Sequence, residues 1–148
     1  MMLAAAVLFA TAAELSRRLT TAAEELLQIE KKIAASHEGL DPVFYEDVLT
    51  LLDKAIEVDP QNMHAHARTG EVLLLKSDQG DGTFDICAIL DARDEADYVL
   101  NHGAESGDQA IARGVLRAIE SIPPGAIPDP PSSCEGEERH HGSKTSTS

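Results

Sequence analysis

Apolar residues recur at helical spacing along most of the chain, in blocks separated by proline, glycine and acidic residues. Residues 3–36 form the first block. Within it, Thr21 followed by Glu24 has the form of a capping box, which leaves open whether one helix or two span the block. The apolar positions that we expect to face the core after Thr21 are Ala22, Leu26, Ile29 and Ile33.

The second block has a clear beginning and a clear end. Residues 37–40 form a linker, after which Asp41 and Pro42 have the chemistry of a helix N-cap followed by the first helical residue. The helix is expected to continue to about Glu57, and its core-facing stripe is Phe44, Val48, Leu51, Leu52 and Ala55. Asp59-Pro60 then ends it, because a residue before proline is disfavoured in the α region.

Three further segments follow. Asn62 is positioned to cap a helix from about Met63 to Lys76, and residues 76–83, rich in Gly and Asp, predict a turn. A helix is expected over 84–102, although periodicity does not decide whether the apolar segment Ile86–Leu90 extends this helix or folds back over it.

The C-terminal part divides into a helix and a tail. After a break at 103–107, Asp108 is expected to cap a last helix over 109–121 that carries Ile111, Val115 and Ile119 on one stripe. From residue 123 prolines give way to Ser, Thr and charged residues, which predicts a disordered tail over 123–148.

Ala and Leu supply most of the apolar volume, and aromatic residues make up 3% of the chain. This composition favours helices over sheet. We therefore predict an all-α protein with one helical domain, residues 1–122, followed by the tail at 123–148.

The boundary between the second and third helices resembles the junction of a tetratricopeptide repeat (TPR). The matching positions are Ala55, Pro60, Ala65 and Gly70. The resemblance implies antiparallel helix pairs stacked as a short array, with the last helix as a cap. His66 and Thr69 depart from the Trp and Leu usual in the family, which indicates a degenerate repeat or a helical hairpin that shares only the turn.

The resemblance also implies a function: a non-catalytic interaction or scaffold module that binds a partner segment in a groove between helices. In the helix after Asn62, the family's packing positions fall on His66, Gly70 and Leu73. The candidate partner-binding residues are those expected on the opposite face, namely His64, Ala67, Glu71 and Leu74.

The charge narrows the class of partner. The net charge is −14, and most of it lies in residues 41–122, which hold 17 acidic and 6 basic residues. Such a surface repels phosphate backbones, so we expect a basic or apolar protein segment as partner and no nucleic acid.

No motif predicts catalysis, a metal or a cofactor. The Gly/Asp turn lacks the first acid and the last Glu of a calcium loop, and His64 and His66 point to different sides of a helix. Two alternatives stay open. One is a helical bundle that binds a small molecule or metal, or acts as a minor enzyme, with Ile86–Leu90 as a lid. The other is a fragment of a longer array with an exposed apolar edge at Ala4–Phe9.

The two cysteines and the N-terminus bear on the compartment. Cys87, in an apolar segment among acids, is expected to be an inert thiol, and Cys134 lies in the tail. Two thiols without a framework favour the cytoplasm. The apolar run Met2–Ala13 is too short to span a bilayer and lacks a preceding basic residue. A core-facing helix, or an edge exposed by a missing upstream region, is therefore preferred to the two alternatives, a signal peptide and a membrane-surface helix.

Overall fold

The computed structural model describes residues 2–36, 42–127 and 134. Within these ranges the chain is all-α, as predicted, and forms five α-helices and a short 3-10 helix at Pro124–Ala126. The α-helices are α1 (Met2–Ser36), α2 (Pro42–Val58), α3 (Met63–Ser77), α4 (Ile86–Asn101) and α5 (Ser106–Glu120). The predicted linker at 37–40 and the predicted cap Asp41 lie outside the described residues.

Each helix packs against the next, and α3 lies at the centre. It contacts α2, α4 and α5 extensively and α1 over a smaller area. The predicted stripe of α2 is confirmed, because Val48, Leu52 and Ala55 are buried while Phe44 and Leu51 pack against the core from its edge.

Helix α1 corrects two predictions. It is continuous from Met2 to Ser36, so no new helix begins at Thr21. The predicted core stripe is also wrong, because Ala22, Ile29 and Ile33 are exposed and Leu26 is only partly buried. The row one residue further along faces the core instead: Ser16, Thr20, Ala23, Leu27 and Glu30.

Polar contacts at the α2–α3 junction explain this choice of face. The Asn62 side-chain oxygen accepts a hydrogen bond from the Ala65 backbone N–H at 3.0 Å, which is the predicted cap. Its amide nitrogen donates to Ser16 Oγ at 2.8 Å and to Thr20 Oγ1 at 3.1 Å. The Ser16 hydroxyl in turn donates to the Ala55 carbonyl at 2.6 Å. Because buried polar atoms need partners, these bonds favour the face of α1 that carries the hydroxyls.

Helix α3 approaches α4 closely at Gly70, one of the positions that match the repeat junction. A Cβ at this position would lie 3.2 Å from the Ala92 carbonyl oxygen and 3.4 Å from Glu95 Cβ. The turn before α4 contains Gly80 and Gly82, both with positive φ. Asp85 then caps α4 by accepting from the Cys87 N–H at 2.9 Å, so Ile86–Leu90 belongs to the helix.

The last helix begins at Ser106, before the predicted cap. Asp108 is therefore not an N-cap but lies in the first turn of α5. After α5, the Phe84 N–H donates to the Ala126 carbonyl at 3.0 Å, and Ile122 and Ile127 pack against the core. The packed part of the chain thus extends past residue 122, whereas most of the predicted tail lies outside the described residues.

The cysteines form a disulfide between Cys87, in the first turn of α4, and Cys134, with Cα atoms 5.5 Å apart. The expectation of two free thiols is wrong. The bond joins positions 47 residues apart. The sequence did not predict it, because two cysteines alone do not form the spacing pattern that indicates a disulfide framework.

Candidate functional site

The four residues predicted to contact a partner lie in different surroundings. Ala67 is 1% exposed and belongs to the core, while Leu74 is partly buried against it. His64 and Glu71 are on the side of α3 that faces α1 and α5, where both form ion pairs with other helices or with α3 itself. A partner on this face would therefore meet side chains that are already engaged.

His64 joins three helices. Its Nδ1 lies 2.6 Å from Asp108 Oδ1 on α5, and its Nε2 lies 2.9 Å from Glu24 Oε1 on α1. Carboxylate oxygens accept hydrogen bonds, so both ring nitrogens donate when His64 is an imidazolium. The charged ring thus connects the first turn of α5 to the middle of α1 through the start of α3.

The surroundings shift the ionisation of this pair. Partial burial acts to lower the pKa of His64, but the hydrogen bonds to Asp108 and Glu24 outweigh it and raise the pKa above its ordinary value. Partial burial acts to raise the pKa of Glu24, yet the hydrogen bonds from His64 and Arg68 lower it below its ordinary value. Both shifts favour the ion pair.

Arg68 continues this network along α3. Its Nε donates to Glu24 Oε1 at 2.7 Å, and its Nη1 donates to Glu71 Oε2 at 2.7 Å. Lys31 of α1 adds a longer contact, with Nζ 3.9 Å from Glu71 Oε1. The result is a line of alternating charges between α1 and α3, which fixes the two helices relative to each other.

His66 has a different role, and the prediction that it is a packed residue is confirmed. It is 1% exposed, and its Nδ1 lies 2.9 Å from Glu95 Oε2 of α4. Its Nε2 lies 3.0 Å from the Pro60 carbonyl oxygen, which can only accept, so this nitrogen carries a hydrogen. The buried pair therefore ties α3 to α4 and to the turn before α3.

The arrangement around His64 does not form a metal site. Asp108 and Glu24 contact opposite nitrogens of the ring, so the three side chains share no common point for an ion. Among the described residues, no group of three or more His, Cys, Asp or Glu side chains is arranged to hold a metal.

The surface that sequence reasoning missed is the outward face of α1. It carries six apolar residues that we call the outer seam: Leu15, Leu19, Ala22, Leu26, Ile29 and Ile33. Leu15, Ile29 and Ile33 are 50%, 53% and 50% exposed, while Leu19 and Leu26 are partly covered by the core. Among the side chains that the structure describes, which do not include those of residues 2–10, four large apolar ones are exposed, and three of these belong to α1.

The outer seam has the spacing of a coiled-coil face. Its residues follow one another by four, three, four, three and four positions over about 27 Å of helix. The predicted core stripe of α1 has the same spacing, and all four of its residues belong to the outer seam. The spacing therefore identified the apolar face of α1 correctly, but the fold buries the adjacent face of the helix instead.

The search for similar proteins found no match to this chain among protein-family models, curated proteins or solved structures. No helix in the described part of the chain has the length and apolarity to cross a membrane.

Proposed function

We propose that this protein is a non-catalytic interaction module that docks a helical partner on the outer seam of α1. The observation that carries the proposal is the exposure of Leu15, Ile29 and Ile33 by half or more on a regular seam. Contiguous exposed apolar surface of this kind is typical of protein interaction sites. The 4-3 spacing specifies an α-helix as the complementary shape, because knobs-into-holes packing repeats every seven residues.

We also propose that the scaffold is a degenerate TPR-like stack. The support is local: Ala55, Ala65 and Gly70, at the family's small-residue positions, are all buried. The central position of α3 between α2, α4 and α5 is compatible with stacked helix pairs. In this arrangement the network of Glu24, His64 and Arg68 holds α1 in place, so that its opposite side presents the seam.

The partner's chemistry follows from the seam. An amphipathic helix with its own apolar row would bury the exposed side chains, whereas a phosphate backbone would meet a chain with a net charge of −14. We keep the predicted preference for an apolar partner. We propose the outer seam instead of the predicted groove on α3 as the docking surface, because His64 and Glu71 already form ion pairs within the fold.

The compartment is a separate part of the proposal. Composition led to a prediction of the cytoplasm, but disulfides persist mainly in oxidising environments. The Cys87–Cys134 bond therefore supports an oxidising compartment. Trapping thiols with an alkylating reagent at the moment of cell lysis tests this, since a protein from a reducing compartment would be modified at both cysteines.

Site-specific photo-crosslinking tests the docking surface. A photoreactive side chain is placed at Ile29 on the seam or, as the matched control, at the exposed neighbour Gln28. We expect Ile29 to give an adduct whose crosslinked peptide, mapped by mass spectrometry, is an amphipathic helix of one defined polypeptide. Equal and scattered adducts from both positions would contradict the proposal.

A further inference from the structure

The occupant of the outer seam can be inferred from the charges that flank it, given the proposed function. We propose that the outer seam of α1 pairs with the same seam of a second copy of this chain, in an antiparallel and shifted register. In this register Leu15 lies against Leu26 of the second copy, and Arg18 lies next to Glu25 of the second copy.

The charge distribution favours a second copy. Helix α1 contains four acidic and four basic residues, so it is neutral by formal charge, whereas residues 41–122 hold 17 acidic and 6 basic residues. Two copies of a chain with a net charge of −14 repel each other, and the repulsion is weakest where α1 meets α1. A symmetric pair of identical surfaces is also the commonest form of oligomer.

The fold leaves room for this contact. The buried row of α1 follows the seam by one residue at each step, as Ser16 follows Leu15 and Leu27 follows Leu26. One residue corresponds to a rotation of about 100° around a helix. A second helix therefore approaches the seam from a direction different from that of α2, and the contacts of the buried row are kept. Arg18 already pairs with Glu14 one turn earlier, at 2.9 Å, and its side chain is 77% exposed, so Glu25 of the second copy would be a further partner.

The row on the other side of the seam sets the direction. Arg18, Glu25 and Lys32 are exposed at intervals of seven residues and alternate in sign. In a parallel pair such residues would face the positions of Ser16, Ala23 and Glu30, which are buried within each chain. In an antiparallel pair the row faces its own counterpart, so its charges interact.

The same row narrows the choice of register. When Leu19 is opposite Ala22 of the second copy, Arg18 lies next to Glu25, and the two-fold axis creates this pair twice. When Leu19 is opposite Ile29, Glu25 faces Glu25 and Arg18 faces Lys32, and like charges across a helix interface oppose association. A register with Leu26 opposite Ile29 would pair Glu25 with Lys32 but leave Arg18 without a counterpart on α1, so the response to Arg18→Glu distinguishes it from the first.

Analytical ultracentrifugation of charge variants of the full chain tests the proposal. We expect a reversible monomer–dimer equilibrium that Leu15→Glu abolishes, because Leu15 is half exposed and lies opposite Leu26 of the second copy. Arg18→Glu and Glu25→Arg should each weaken the dimer about tenfold, since each reversal disturbs two symmetric pairs. The double variant Arg18→Glu/Glu25→Arg should return the dissociation constant to near that of the native protein.

Two controls separate seam effects from net charge. Arg93→Glu and Asp94→Arg, both at exposed positions of α4, change the charge by the same amounts and should leave the equilibrium unchanged. Far-UV circular dichroism confirms that each variant is folded.

Three results would overturn the inference. A chain that stays monomeric at every concentration lacks the second-copy contact. A dimer tightened by Arg18→Glu would have the unshifted register, in which Arg18 faces Lys32, and a dimer indifferent to Leu15→Glu would use another surface. The photo-crosslink from Ile29 keeps the two proposals distinct, because an adduct with a different polypeptide supports the proposed function while removing the second copy.

Discussion

The amide group of Asn62 donates a hydrogen bond to Ser16 across 46 positions of sequence, at 2.8 Å. The same side chain caps α3 through its oxygen. Asn62 thus caps α3 and also holds one face of α1 against the core. The outer seam stays exposed because the hydroxyl-bearing face of α1 forms these hydrogen bonds in the interior.

Asn62→Asp separates these two roles. The aspartate retains an oxygen for the cap but loses the donor to Ser16 and Thr20. Both hydroxyl hydrogens are already used, by the Ala55 and Ser16 carbonyls, so a carboxylate oxygen would face only lone pairs. We expect the free energy of unfolding in urea to fall by about 1–3 kcal/mol. An unchanged urea midpoint would show that the amide does not hold α1.

Gly70→Ala and Gly114→Ala form a matched pair of helical substitutions. Alanine favours a helix over glycine by about 1 kcal/mol, and no atom outside the local helix lies within 4 Å of a Cβ at Gly114. Gly114→Ala should therefore stabilise the protein. At Gly70 the new Cβ would lie 3.2 Å from the backbone oxygen of Ala92, so we expect a loss of about 1 kcal/mol or more. Thermal melting measures both, and equal gains would mean that α3 and α4 are further apart.

His64 predicts a pH dependence of stability. Its pKa is raised in the folded state, so its contribution is complete below the ordinary value of 6.5 and is lost as pH rises through the raised pKa. His64→Gln should remove this part of the decline on the alkaline side of pH 6.5. His102→Gln, at an exposed position of the α4 C-cap, is the control and should retain it. Urea midpoints measured across neutral pH test this prediction. If the midpoint depends on pH in the same way in the native protein and in His64→Gln, the prediction is refuted.

Glu24 contributes on the acidic side. Its pKa is lowered in the folded state, so its contribution is present above the ordinary value of 4.5 and is lost as pH falls through the lowered pKa. Glu24→Gln should reduce the loss of stability upon acidification. The same urea series, continued below pH 4.5, measures it, and an unchanged acid limb would contradict the geometry of the His64–Glu24 contact.

The disulfide predicts a loss of stability upon reduction. Closing 47 residues restricts the unfolded chain, and a loop of this length contributes about 4 kcal/mol in the chain-entropy model, at the upper end of the usual range of about 2–4 kcal/mol. Cys134→Ser should lower the free energy of unfolding by that amount, and a reducing agent should have the same effect on the native protein only. Alkylation of both cysteines in the native protein without a reducing agent would contradict the bond.

The sequence predicted the helices well because their limits depend on local chemistry. Pro42 begins α2, Asp59-Pro60 ends it, and Asn62 caps α3, each through its own backbone or side chain. The prediction that Asp108 caps α5 is wrong. Its carboxylate contacts His64, which lies 44 positions away in the sequence, and a rule based on neighbouring residues cannot detect such a contact.

The covered side of α1 was not predictable from spacing alone. The outer seam and the buried row run side by side with the same intervals, and the seam is the more apolar of the two. Burial of Ser16 and Thr20 depends on Asn62 and Ala55, which only the folded chain brings near. The partner face was predicted on α3 rather than on α1 for the same reason, because α1 was expected to bury its leucines and isoleucines.

The most direct measurement is isotope-filtered NMR on a mixture of methyl-labelled and unlabelled copies of the full chain. We expect intermolecular contacts from Leu15 to Leu26 and from Leu19 to Ala22. Contacts of Leu15 with Ile33 would establish the unshifted register, and a mixture without any contact between copies at the outer seam would contradict pairing through α1.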